Sequence, residues 1–175
     1  KVFVIPGSRA IHWSSLKKIK EFYDHGGKVI ATTRLPDCSA EFGKDKEVQK
    51  AIAAMFGTAG EKKSVFEVLD ANGRNLAQAG GPCSVQTNAR GGKAYFIPSP
   101  QTATLKAVLD DALKVYDVAF EQDVDTHNGN LSYIHKVVEG RQIYFVGNSS
   151  DDAVDTFIRL RGRLHVACWD PHTGR

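Results

Sequence analysis

The sequence predicts an α/β domain with a mostly parallel sheet over residues 1–120, followed by an antiparallel β region over residues 130–175. Three observations carry that expectation. Two apolar runs that suit buried strands, at residues 2–5 and 28–33, enclose a segment with helical periodicity. Helical periodicity returns at residues 48–56 and 105–113. Beyond about residue 115 it disappears, and short strand-like stretches separated by turn residues take its place.

Taken in order, the first run ends at Pro6-Gly7, as a buried strand feeding a loop would. Ser14 or Ser15 is placed to cap a helix in which Leu16, Ile19, Phe22 and Tyr23 share a face, and Gly26 supplies its stop. Strand, helix, Gly26-Gly27 and strand together make a crossover unit of a parallel sheet. Val48, Ile52, Met55 and Phe56 mark a second helix ending at Gly57. Residues 65–69 and 75–79 flank Asn72-Gly73, the signature of a tight hairpin turn. Residues 95–98 read as another buried strand. Thr102 or Thr104 then opens a helix that carries Leu105, Val108, Leu109, Ala112 and Leu113 inward.

The polar stretch 121–130 is the expected seam between the two regions. After it, residues 131–138, 142–147, 154–160 and 164–169 are four strand candidates, spaced as in an antiparallel meander at the start of a sandwich. Asp170-Pro171-His172-Thr173-Gly174 is strong turn chemistry with no returning strand behind it. The expectation is therefore a segment of a longer polypeptide.

Composition narrows the function classes. Apolar residues make up 42% of the chain and charged residues 25%, the balance of a globular protein rather than a disordered one. A net charge of +3 with no basic stripe interleaved with aromatics gives nucleic-acid binding no support. No apolar run approaches the roughly 20 residues of a membrane span, so no membrane partner is expected. Cys38, Cys83 and Cys168 lie far apart without CxxC spacing, which disfavours a zinc site and leaves the redox state of the thiols open. No cofactor or metal is expected.

Candidate chemistry is sparse. Gly81-Pro82-Cys83-Ser84 has the look of a nucleophile turn, but such an elbow needs a strand before the cysteine and a helix after it. Neither flank of Cys83 fits. Arg9, His12 and Trp13 follow the carboxyl end of a parallel strand, where open α/β sheets bind ligands, and are candidates for contact with a sugar or anion. The bland alternative is that Trp13 and Ile11 staple this loop onto the sheet or a neighbouring domain. The six histidines form no HxH or HxxxH pair, and His25 suits the last turn of the first helix. The carboxylate pairs Asp110-Asp111, Asp123 with Asp125, and Asp151-Asp152 read as solvated surface, because neighbours on a helix do not share a face.

Several stretches resemble a known family in order along the chain. Val4-Ile5-Pro6-Gly7, residues 16–23 and Gly26-Gly27-Lys28-Val29-Ile30-Ala31-Thr32 resemble the accessory α/β domain of large glycoside hydrolases. That domain is flavodoxin-like, of the class I glutamine-amidotransferase-like type, and also serves as the trimerisation domain of family 42 β-galactosidases. Thr33-Arg34-Leu35-Pro36, Gly92-Lys93-Ala94-Tyr95-Phe96-Ile97-Pro98, residues 143–150 and Trp169-Asp170-Pro171-His172-Thr173-Gly174 are similar to glycoside hydrolase family 106, the α-L-rhamnosidases. The resemblance implies a non-catalytic piece of a periplasmic or secreted enzyme that degrades plant cell-wall polysaccharide. Its partners would be the catalytic barrel and sandwich domains of the same parent, with rhamnose-containing polysaccharide as the parent's substrate. Catalytic residues and calcium of that family belong to the barrel, and none maps onto this chain. Exposed strand edges would also allow self-association. Two rivals from other classes are an amidase or hydrolase using Cys83, and a carbohydrate-binding module centred on Trp13 or Trp169.

Overall fold

The computed structural model describes residues 1–58, 64–65, 83–120 and 131–174. The chain divides into two compact units, Lys1–Lys114 and Val115–Arg175. Residues 115–120, read from the sequence as the end of the α/β domain, thus fall with the second unit.

In the first unit the order is β1 (Val2–Ile5), β2 (Ala10–Ile11), α1 (Trp13–Asp24), β3 (Lys28–Thr32), β4 (Cys38–Ser39) and α2 (Asp45–Phe56). Then follow β5 (Ser64–Val65), β6 (Ser84–Thr87), β7 (Lys93–Ile97) and α3 (Thr102–Ala112). The main sheet has the order β1-β3-β7-β6-β5. Its first three strands are parallel, and β6 and β5 run antiparallel to their neighbours. The sheet is therefore mixed, with a parallel half built by crossovers. The predicted hairpin around Asn72-Gly73 lies outside the described residues.

Strand alternation divides the core in two. Val29, Ala31 and Ala94 face one side, where they join Leu16, Ile19 and Tyr23 of α1 and Val48, Ile52, Met55 and Phe56 of α2. Ile30, Tyr95 and Ile97 face the other side and pack with Val108 and Ala112 of α3 and with Cys83. Each fully buried Leu or Ile contributes about 2 kcal/mol of transfer free energy, so these two seams hold the unit together. β1 is an edge strand on which Phe3 and Val4 remain largely exposed.

The helix ends follow from local chemistry, with one departure from expectation. α1 stops at His25 and Gly26, the latter at φ 91°, where Gly26 N–H donates to Tyr23 O at 3.0 Å. α2 carries Asp45 and Glu47 in its first turn and stops at Gly57 with φ 76°. The start of α1 differs from the reading of Ser14 or Ser15 as its cap: the helix begins at Trp13, His12 holds the cap position, and neither serine caps it.

The second unit contains β8 (Val118–Phe120), β9 (Leu131–Val138), β10 (Arg141–Asn148) and β11 (Ile158–Leu160). β9 and β10 form an eight-residue antiparallel hairpin in full register, closed by Glu139 at φ 50° and Gly140 at φ 76°. The rest corrects the predicted meander. β11 pairs with β8 and not with β10, and residues 164–169 form no strand. Val166 and Trp169 are exposed there; an alternating apolar stretch becomes a strand only where a neighbouring edge receives it. The terminal turn does form. Asp170 Oδ1 accepts from His172 N–H at 2.8 Å, and Asp170 O accepts from Gly174 N–H at 2.7 Å.

Candidate functional site

Open α/β sheets bind ligands beyond the carboxyl ends of their strands, where adjacent strands send their chains to opposite faces. In the first unit β3 leads to α2 on one face and β7 leads to α3 on the other. The carboxyl ends of β3 and β7 are therefore the place to look. Here the chain bridges the gap itself. Thr33 leaves β3 at φ 63°, and its N–H donates to Ile97 O at the end of β7 at 2.8 Å. A β-branched residue in this left-handed region is unusual, at a cost of about 1–3 kcal/mol, so its surroundings must enforce it. Gly7 lies close against it: a Cβ there would stand 2.8 Å from Thr33 Cβ.

Around that bridge the predicted residues are each engaged by a different partner. Arg9 Nε lies 3.4 Å from Asp37 Oδ1, and Arg34 Nη2 lies 2.6 Å from Asp37 Oδ2. The hydrogen bond from Arg34 is the main reason the Asp37 carboxyl is held below its ordinary range. Arg9 O also accepts from the amide of Asp37, which fixes this loop beside the two-stranded β2-β4 pair. His12 Nδ1 is 3.6 Å from Glu41 Oε1. Trp13 opens α1 and packs, half-buried, against the α1-α2 core. Glu41 then occupies the amino end of α1, accepting from Ser14 N–H at 3.2 Å and Ser14 Oγ at 2.8 Å. Those bonds hold its carboxyl low. A helix amino terminus normally welcomes an external anion. This one is served by the protein's own carboxylate, a contact across 27 positions of sequence that no local motif reveals.

Cys83 does not sit on an elbow. Strand β6 follows it directly, its side chain is fully buried, and burial pushes its thiol up to about 11. At neutral pH it is a protonated core residue, unsuited to nucleophilic attack. Asp111 is exposed, as the reading as solvated surface expects, but it is also engaged. It accepts from the buried Tyr95 hydroxyl and pairs with Lys93 Nζ at 2.7 Å, tying α3 to β7. Asp110 stays on the surface with Lys106 at 2.8 Å.

In the second unit, His135 Nδ1 lies 3.1 Å from Asp117 Oδ2, and its Nε2 lies 2.7 Å from Gln142 Oε1. Tyr144, its register partner, stacks on it with centroids 4.2 Å apart. The buried Asp117 Oδ1 faces Arg161 Nη2 at 2.7 Å. An Asp-His pair suggests acid-base chemistry, but the far nitrogen is already occupied by Gln142, so no nucleophile stands in line. The cluster fastens β9 and β10 to the segments around Asp117 and Arg161. Sequence reasoning placed His135 on a strand and had no signal for Asp117.

Among the described residues no three His, Cys, Asp or Glu side chains converge to hold a metal ion. No helix among them is long and apolar enough to cross a membrane. An open polar cleft lies between the ends of α1, α2 and β6, lined by Asp24, Gly57 and Asn88. Asn88 is engaged there, donating to Tyr23 O and accepting from the amides of Arg90 and Gly92. No protein-family model matches the chain, and no curated protein is significantly similar to it.

Proposed function

We propose that this chain is a supporting, non-catalytic part of a glycoside hydrolase similar to the α-L-rhamnosidases. It would buttress a catalytic barrel that is absent from these residues. The resemblance along the sequence motivates the reading. The observation that carries it is that the chemistry-bearing groups at the carboxyl ends of β3 and β7 are engaged with one another. Thr33 bridges the strands, Asp37 takes both arginines, and Glu41 fills the amino end of α1. What remains is scaffold. The first unit is read as flavodoxin-like for its layers, with helices on both faces of the sheet. Its parallel strands run in simple sequence, β1-β3-β7, where a flavodoxin-like order would put the first strand in the middle.

The test is turnover of an aryl α-L-rhamnoside by the purified chain. No hydrolysis above background is expected. Hydrolysis that disappears on substituting a residue of this chain would overturn the proposal.

One observation favours a second reading, a carbohydrate-binding module. Trp169 is 76% exposed beside the ordered Asp170–Gly174 turn, and a free indole face can stack on a sugar. Quenching of Trp169 fluorescence by rhamnose-containing oligosaccharides, lost in Trp169→Ala, would favour that reading over pure support.

A further inference from the structure

We propose that Asn148 is an acceptor site for an N-linked glycan. Among the chain's asparagines only Asn130 and Asn148 stand in an Asn-X-Ser/Thr triplet without proline, the pattern that such transfer requires. Asn130 lies outside the described residues. Asn148-Ser149-Ser150 lies within them, and its surroundings meet the demands of the reaction.

Asn148 is the last residue of β10 and is exposed, as is Ser149. Residues 149–157 form neither helix nor strand, so the triplet opens a surface loop, where a bulky oligosaccharide is tolerated. The acceptor side chain is held in place. Asn148 Oδ1 accepts from Ser150 N–H at 3.0 Å and from Ser150 Oγ at 2.8 Å, which sets the carboxamide and the hydroxyl two residues on side by side. Asn148 Nδ2 donates to Asp152 O at 2.7 Å. A carboxamide nitrogen carries two hydrogens. One serves Asp152 O, and the other is the one that glycosylation replaces. The modified side chain can therefore keep all of these bonds, and the loop need not rearrange to carry its load.

The donor class is an oligosaccharide carried on a lipid pyrophosphate, used by a transferase of the host. Nδ2 bonds to the anomeric carbon of the first sugar as the bond from that carbon to the pyrophosphate oxygen breaks. The lipid pyrophosphate leaves with the electron pair, and the proton from Nδ2 passes to a base of the transferase. Nothing is oxidised or reduced. The product gives this unit polar cover. Tyr133, Ile134 and Phe145 of the same hairpin are exposed, and apolar surface of that kind favours association in water. A hydrated oligosaccharide at the end of the hairpin opposes it. This inference rests on the second unit alone and stands apart from the supporting role.

Secretion of the full chain from a eukaryotic host, followed by intact and peptide mass spectrometry, tests it. A species heavier by one glycan at position 148 is expected, returning to the bare chain mass on treatment with an amidase that releases N-glycans. An Asn130→Gln background keeps the neighbouring triplet out of the measurement. In that background the added mass should vanish in Asn148→Gln and in Ser150→Ala, and persist in Ser150→Thr. Circular dichroism checks that the secreted variants are folded. A chain secreted bare at position 148 would overturn the proposal. So would a modification there that survives Ser150→Ala, or a glycan confined to position 130 in the unsubstituted chain.

Discussion

Glu41 Oε1 accepts from both the amide and the hydroxyl of Ser14, 2.8 Å from the latter, and so caps α1 from a loop beyond β4. The carboxyl is held low chiefly by those bonds, so its contribution to stability is present above the ordinary glutamate pKa. It is lost as pH falls through the lower folded value. Glu41→Gln should lower the melting temperature at neutral pH and remove this part of the acid sensitivity. In a double-mutant cycle with Ser14→Ala the two losses should fail to add. Additive losses would show that the two residues act separately.

Gly7 and Thr33 make a second test. An alanine at position 7 would put its Cβ 2.8 Å from Thr33 Cβ and 3.3 Å from Thr32 O. Gly7→Ala should therefore destabilise the first unit by about 1–3 kcal/mol in denaturant unfolding. Thr33→Gly removes the obstructing Cβ and suits φ 63°. The double variant should recover much of the loss. If Thr33→Gly gives no rescue, the close approach is not what position 7 requires.

The Lys93-Tyr95-Asp111 cluster ties α3 to the sheet. Burial pushes Asp111 up, but Lys93 and the Tyr95 hydroxyl outweigh it and keep the carboxyl below its usual range. Burial, then Asp111, pushes Tyr95 upward, so it remains a protonated donor. Tyr95→Phe removes a charge-assisted hydrogen bond and leaves the Asp111 carboxylate to Lys93 alone, and should cost about 1–3 kcal/mol in urea unfolding at neutral pH. Because a depressed carboxyl stabilises above its unfolded pKa, that cost should shrink as the pH drops below about 4. A cost independent of pH would place the effect in packing alone.

For Cys83 the account predicts silence. Its thiol is buried within the α3-side core, whereas Cys168 is exposed. A thiol reagent should label Cys168 promptly in the native protein and reach Cys83 only on unfolding. Labelling of Cys83 at the rate of Cys168 would contradict its place in the core.

Much of the first unit was legible because its signals are local. Leu16, Ile19 and Tyr23 recur at helical spacing, and the run Lys28–Thr32 needs only to be apolar on both faces. Contacts that join distant positions were not legible. The Ser14-Glu41 cap and the Asp117-His135 pair depend on where the fold brings a carboxylate, and spacing carries no trace of that. The second unit shows the same limit from the other side. Residues 131–148 contain their own partner and their own turn, so the hairpin was readable. Residues 158–160 and 164–169 are similar in composition, yet only the first finds an edge, on β8. Arg9, His12 and Trp13 were found as neighbours of a strand end, but not their engagement with Asp37, Glu41 and the core.

The central claim is that the groups at the carboxyl ends of β3 and β7 are engaged by the chain itself, on which the proposed supporting role rests. The direct measurement is an amide-resolved NMR titration with rhamnose-containing oligosaccharides. The account predicts that the amides of Ser14, Thr33 and Arg34 stay unmoved to the highest ligand concentration reached. Saturable shifts at Thr33 and Arg34, abolished by Arg9→Ala, would contradict it.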